Sequence, residues 1–224
     1  MRRIPLLLLL PALLTLFGCA HHKLELSKQE KFLSASPRSI LIVPVVNKSI
    51  DVTAADYMLS TITIPLAERG YYVFPINAVK RVLEDDGLAD SSLVHSAPTS
   101  KLASLFGADA VLYIIIEQWD AKYLLLTTQV TVAINYQIRD GKTGDVLWEN
   151  EQKMVYSPQQ QQSSGNAIAD LIILLAQAAI TKAAPNYIPL ANQANAQALF
   201  KYPGPGIPFG PYANEQKNKQ EKSN

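Results

Sequence analysis

Cysteine is nearly missing from this chain: 224 residues hold one thiol, Cys19. A lone cysteine closes no internal disulfide, and there is no Cys-x-x-Cys pair to hold zinc. Histidine is almost as scarce, with three residues. His21 and His22 adjoin Cys19, and His95 lies in a Ser-rich stretch with no second ligand at a metal-binding spacing, so no metal or other cofactor is expected. Charge of one sign is missing too. The 20 basic residues are offset by 19 acidic ones, for a net charge of +1, and that balance exerts no general pull on nucleic acid. Long apolar runs are absent: the longest, residues 4–17, falls short of the roughly 20 residues that span a bilayer.

Catalytic signatures are equally thin. Gly141-Lys142-Thr143 suggests a phosphate-binding loop, but that motif needs glycine where Tyr136 stands, and it must open a helix so that backbone amides cradle phosphate. A hairpin turn accounts for these residues better. Ser163-Ser164-Gly165 lacks the flanking glycine and buried strand of a nucleophile elbow. The acids Asp85-Asp86 and the nearby pair Glu149 and Glu151 read as solvated faces, not as two carboxyls converging in a cleft. No residue is assigned a catalytic role, and the protein is expected not to be an enzyme.

The N-terminus is informative. Arg2-Arg3, the apolar run 4–17 and then Gly18-Cys19 form the three zones of an export signal. Leu16-Phe17-Gly18-Cys19 matches the lipobox of bacterial lipoproteins, with cleavage between Gly18 and Cys19 and acylation of Cys19. This accounts for the lone thiol. Several acyl chains on one residue hold firmly, since each buried methylene contributes about 0.8 kcal/mol. Loss of residues 1–18 leaves 18 basic against 19 acidic residues. Ala20, where aspartate would favour the inner membrane of a Gram-negative cell, implies the outer membrane and its periplasmic face.

The chain divides into a signal peptide (1–18), a lipidated tether (19–37), an α/β globular domain (38–184) and a Pro/Gly-rich and polar tail (185–224). Within the domain, residues 39–46 read as a buried strand with Pro44 near an edge or bulge. Residues 54–69 carry apolar positions at helical spacing, with Pro65 as a kink and Gly70 as the stop. Residues 71–75 form a second strand, Asn77 caps a helix toward Asp85, and a short helix from Thr99 or Ser100 ends at Gly107. Residues 110–119 are the most apolar strand. Residues 129–138 alternate, with Val130, Val132, Ile134, Tyr136 and Ile138 on one face and Gln129, Thr131, Asn135 and Gln137 on the other, which marks a half-buried antiparallel strand. Turn formers at 140–145 join it to a strand over 146–156. A helix over 166–184 is apolar on most sides.

Two segments carry possible binding surfaces. Tyr123-Leu124-Leu125-Leu126 extends the Trp119 strand, either as core or as the exposed apolar patch of an interface. From Tyr202 to Tyr212, prolines alternate with glycines, and Tyr202, Phe209 and Tyr212 punctuate an extended chain that suits a partner's groove or a plain linker.

Three of these stretches carry a resemblance: SILIVPVVN at 39–47, GADAVLYIIIEQW at 107–119, and the Asp-x-x-Thr-Gly-x-Val-Leu-Trp hairpin from Asp140 to Trp148. Together they resemble a family of uncharacterised Gram-negative lipoproteins related to the curli-secretion lipoprotein CsgG and the amino-terminal domain of TolB. The resemblance implies a mixed-sheet α/β sandwich in βαβααβββα order, an envelope role, no enzymatic activity, and assembly with other envelope lipoproteins including a CsgG-like subunit. A homo-oligomer is compatible with it. The pore-forming relative inserts extra strand pairs into the membrane; here 129–138 alone has a suitable length, and the soluble sheet needs it. Function is therefore expected to be that of a non-catalytic accessory subunit in secretion, transport or surface assembly. Regulation of peptidoglycan synthesis is the alternative, and pore formation is the weakest reading.

Overall fold

β-branched residues crowd the start of the body, and they form strand β1, Ser39–Ile42, buried along its whole length. Pro44 has no N–H to give a ladder, so the strand stops and resumes as β2, Val46–Asn47. The single strand expected over 39–46 is thus two short ones, and both pair in parallel with the same neighbour. The computed structural model describes residues 29–124, 127–156, 188–201 and 204–213. The expected signal 1–18, the expected lipidation site Cys19, the expected helix 166–184, Tyr202 and the polar end from 214 lie outside them.

Helix α1 covers residues 29–35. Helix α2, Ala54–Glu68, continues through Pro65, and Gly70 follows with φ +86°. Strand β3, Tyr72–Val73, is shorter than expected. Helix α3, Ile76–Asp85, begins one residue before the expected cap: Pro75, with extended backbone, holds the N-cap position in place of Asn77. Helix α4, Ser91–Ser96, was not foreseen; Asp90 caps it by accepting from the Ser92 and Leu93 amides. Helix α5 is Thr99–Phe106. Three long strands follow, β4 (Ala110–Leu124), β5 (Thr127–Asp140) and β6 (Val146–Tyr156). Helix α6 is Ile188–Leu199.

The sheet order is β3-β1-β4-β5-β6, with β2 beside β4. Its first half is parallel and its second half, from β4 to β6, antiparallel. This is the expected mixed-sheet α/β architecture. One face buries Ile40, Leu112, Ile114, Ile134, Tyr136 and Ile138 beneath α2 and α6. The other buries Leu41, Val43, Val111 and Tyr113 beneath α3, α4 and α5. Asp109 ties the two parallel strands at their starts, its carboxylate accepting from the Arg38 and Ser39 amides and the Ser39 hydroxyl.

Two stretches read from sequence as tether and tail pack on this body. Phe32 of α1 is buried, with its ring edge-on to Tyr71 at 6.2 Å. Helix α6 lies against α2 with Ala191, Ala194 and Ala198 inward; these small residues bring the helix axes close. The body therefore reaches further in both directions than the boundaries 38 and 184.

Candidate functional site

Alternation along β5 sends two different surfaces to the two sides of the sheet. Its apolar set faces α2 and α6. Its polar set, Asn135, Gln137 and Arg139, faces the opposite way, beside α4. The register places Gln137 across from Glu149 and Asn135 across from Glu151. Helices α3 to α5 cover β1 and the first half of β4 on this face, and an open groove of about 560 Å³ remains where the antiparallel strands continue. His95 and Tyr113 form one bank, Glu149 and Glu151 the other, and Ile115, Asn135 and Gln137 the floor.

The groove is held by specific bonds. The His95 Nε2–H donates to the Pro44 carbonyl at 2.9 Å, at the break between β1 and β2. Burial lowers the pKa of this imidazole; the Pro44 bond opposes that shift and nearby Arg139 adds to it. The ring is therefore neutral at pH 7, and it stands edge-on to Tyr113 at 5.1 Å. The Tyr113 hydroxyl is paired with Thr99 Oγ1 at 3.0 Å, and its pKa is raised by burial. The Arg139 guanidinium lies over the Tyr113 ring at 5.1 Å, and its Nε donates to Gln137 Oε1 at 2.6 Å. Asn135 Nδ2 donates to Glu117 Oε1 at 3.3 Å, and Glu117 is itself paired with Lys48 at 2.8 Å. No group of three or more His, Cys, Asp or Glu residues able to hold a metal occurs among the described residues.

A second feature is the length of β4 and β5. Strands β1 and β2 end their pairing with β4 at Ile116. A bulge then inserts Glu117, and the β4–β5 ladder continues from Gln118↔Ala133 to Leu124↔Thr127. The ladder runs eight residues past Ile116, about 27 Å, with β6 alongside β5 as far as Val130↔Tyr156, so that residues 127–129 and their partners on β4 run beyond it. Its tip carries the sequence Tyr123-Leu124-Leu125-Leu126, the apolar segment singled out above. Leu125 and Leu126 lie outside the described residues.

The third is the Pro/Gly stretch. Phe209 and Tyr212 are 46% and 51% exposed, yet both already contact this chain. Arg69, at 4% exposure, lies between the rings of Phe200 and Phe209 at 5.0 and 4.5 Å. The Tyr212 hydroxyl accepts from Arg38 Nη2 at 3.1 Å. Residues 204–213 are a strap bonded along its length. Pro205 O accepts from Trp148 Nε1, Pro208 O from the Tyr71 hydroxyl, and the Gly210 and Tyr212 amides reach the Arg69 and Gly70 carbonyls. Gln29 Nε2 on α1 donates to Gly204 O at 2.7 Å. The candidate residues Phe209 and Tyr212 thus share one edge of the molecule, away from the groove. Gly18, Cys19 and Tyr202 are not among the described residues. Sequence reasoning did not assign the groove. Its floor was visible as the polar half of the β5 alternation, but nothing local brings His95 from α4 beside Arg139.

No helix among the described residues is long and apolar enough to cross a membrane. Residues 29–212 match the family model described as "Putative lipoprotein GNA1162-like". A relative from Neisseria meningitidis serogroup B, described as "Putative lipoprotein NMB1124/NMB1162", is 31% identical over 219 residues, covering 96% of this chain and 99% of that protein. The crystal structure of lipoprotein GNA1162 from Neisseria meningitidis superposes with a TM-score of 0.54 at 31% identity, over 66% of this chain and 100% of that one. A likeness to the LpoB C-terminal domain from Salmonella enterica, with a TM-score of 0.41 at 20% identity over 53% of this chain and 84% of that one, is too weak to bear on function. Matched over most of its length by both the family model and a full-length relative, the chain belongs to the GNA1162-like lipoprotein family.

Proposed function

We propose that acyl chains on Cys19 hold this protein on the periplasmic face of the outer membrane, where it serves as a non-catalytic interaction subunit of an envelope secretion, transport or surface-assembly complex. The observation that carries this reading is the β4–β5 arm. A hairpin prolonged well past its parallel partners, with an apolar sequence at its tip, supports a role in protein contact. Its placement fits an anchored molecule. The strap and Gln29 sit near Trp148, at the level of Ile138, and the tip at Thr127 is eleven residues further along β5, about 37 Å away. Gln29, where the described chain begins, is at one end of the sheet, and the arm extends from the other. Another envelope lipoprotein, including a CsgG-like subunit, is the partner this reading favours.

Packing of α1 shortens the tether to residues 19–28, at most about 35 Å when extended. A regulator of peptidoglycan synthesis is the second reading, on condition that its target comes within that reach. The test is photo-crosslinking from position 123 in intact cells, using a photoreactive phenylalanine, compared with a variant whose tip 124–127 is replaced by a tight Asn-Gly turn. One discrete lipoprotein adduct, lost in the tip variant, is expected. Adducts to bulk envelope proteins alone, or a complex unaffected by the tip replacement, would overturn the proposal. Cys19→Ser should release the folded protein from membranes; full retention of that variant would rule out a purely lipid anchor.

A further inference from the structure

The groove on the open sheet face has a pattern of donors and acceptors that structural needs alone do not explain. Gln137 has its Oε1 engaged by Arg139, which leaves its amide N–H groups for the groove. Asn135 has its Nδ2 engaged by Glu117, which leaves its Oδ1 as an acceptor. The two amides are thus locked in opposite senses, two residues apart on one strand, about 6.8 Å. Across the ladder, Glu151 lies opposite Asn135, and directly opposed side chains stand about 5 Å apart. Fixed donors and acceptors spread over this distance can engage hydroxyl and amide substituents on neighbouring sugar residues of a glycan chain.

Charge and shape narrow the ligand. Lys48 is paired with Glu117, and the groove itself is lined by one cation, Arg139, against two carboxylates, Glu149 and Glu151, a balance that disfavours a polyanion. Ile115 is the one aliphatic side chain lining the groove. At about 560 Å³ the groove falls within the range of small-molecule sites, and its open sides allow a chain to run through. From these observations we infer that the groove binds a neutral or amino-bearing glycan, with Gln137 donating and Asn135 and Glu151 accepting. The inference does not depend on the arm, which points elsewhere.

The two tyrosines that line this groove, Tyr113 and Tyr136, are buried, so hydrogen bonding rather than ring stacking drives binding, and affinity is modest. The experiment is calorimetric titration of the mature lipidated chain in detergent micelles with chitotetraose, the neutral tetramer of N-acetylglucosamine. Saturable binding is expected. Gln137→Ala and Asn135→Ala should each weaken it about three- to ten-fold, the loss of one hydrogen bond, and the more exposed Glu151→Gln should also weaken it. Lys101→Ala, outside the groove, serves as the control and should change nothing. Unaltered urea midpoints would show that the groove variants remain folded. Absence of saturable heat at the solubility limit would overturn the inference, as would binding indifferent to all three groove substitutions. Stronger, Gln137-dependent binding of an alanine-rich tetrapeptide would also overturn it, by reassigning the groove to peptides.

Discussion

Substituting Asn195→Ala breaks a buried relay between three elements. The Tyr136 hydroxyl on β5 donates to Asn195 Oδ1 at 2.9 Å, and Asn195 Nδ2 on α6 donates to Thr61 Oγ1 on α2 at 3.0 Å. Asn195 has 0% exposure, and Tyr136 is also buried. Truncation strands the tyrosine hydroxyl without water, at a cost of about 1–3 kcal/mol. Thr61 loses less, because its hydroxyl still donates to the carbonyls of Tyr57 and Met58. Removing the side chain's packing adds a further fraction of a kcal/mol, so the expected destabilisation is about 2 kcal/mol, or roughly 4–8 °C in Tm for a body of this size. Tyr136→Phe should cost about 1 kcal/mol, by leaving the Asn195 carbonyl oxygen unmatched. The double variant should cost less than the sum, since the group orphaned by one change is removed by the other. Urea unfolding of all four proteins measures the coupling. Additivity to within about 0.5 kcal/mol would refute the relay and, with it, the inclusion of α6 in the cooperative body.

Two further outcomes are expected. In Gly210→Ala, the added Cβ would lie 2.7 Å from the Gly70 carbonyl carbon and closer still to its oxygen; backbone cannot yield as a side chain tip can, so the strap should lift and limited proteolysis should cut near 204–213 before the sheet is attacked, whereas an unchanged digestion pattern would contradict the strap's packing. His95 has a folded pKa below its ordinary value of 6.5, so the unfolded chain binds the proton more readily, and the stability this group contributes above pH 6.5 is lost as pH falls toward the folded value. Urea midpoints at pH 7.5, 6.5 and 5.5 should decline less in His95→Gln than in the parent, and parallel declines would refute the assignment.

The antiparallel half of the sheet is the part of the fold most readily found in the chain. Strict alternation over 129–138 and a dense turn at 140–145 each have one structural meaning, and β6 occupies the expected residues 146–156. Glycines at 70 and 107 stop helices where expected. What escaped were elements whose packing is carried by few or small side chains. Helix α1 buries one large residue, Phe32, which makes no period. Helix α6 presents alanines at 191, 194 and 198 with a buried asparagine among them, a pattern with little contrast between its faces. The spacing of those alanines was the available signal. The strap has a tail's composition, but Trp148 and Tyr71 donate to its carbonyls, and donors from so far along the chain have no local signature. The groove was half visible, as the polar side of β5, while its other bank depends on a six-residue helix that Asp90 alone announces.

The hydrogen bond from Gln29 to Gly204 bears on mechanics. A molecule hung from a bilayer by its N-terminus transmits any pull first through α1, which lies on the body by the buried Phe32 ring, by Ala35 and by this amide, and not through the ladder of β4 and β5. Peeling residues 29–37 pays out nine residues, about 30 Å of additional leash, while the sheet that carries the groove and arm stays whole. For a chain anchored in this way the distance from membrane to sheet is therefore extensible under load, and its compliance resides in a helix whose place in the chain marks it as spacer.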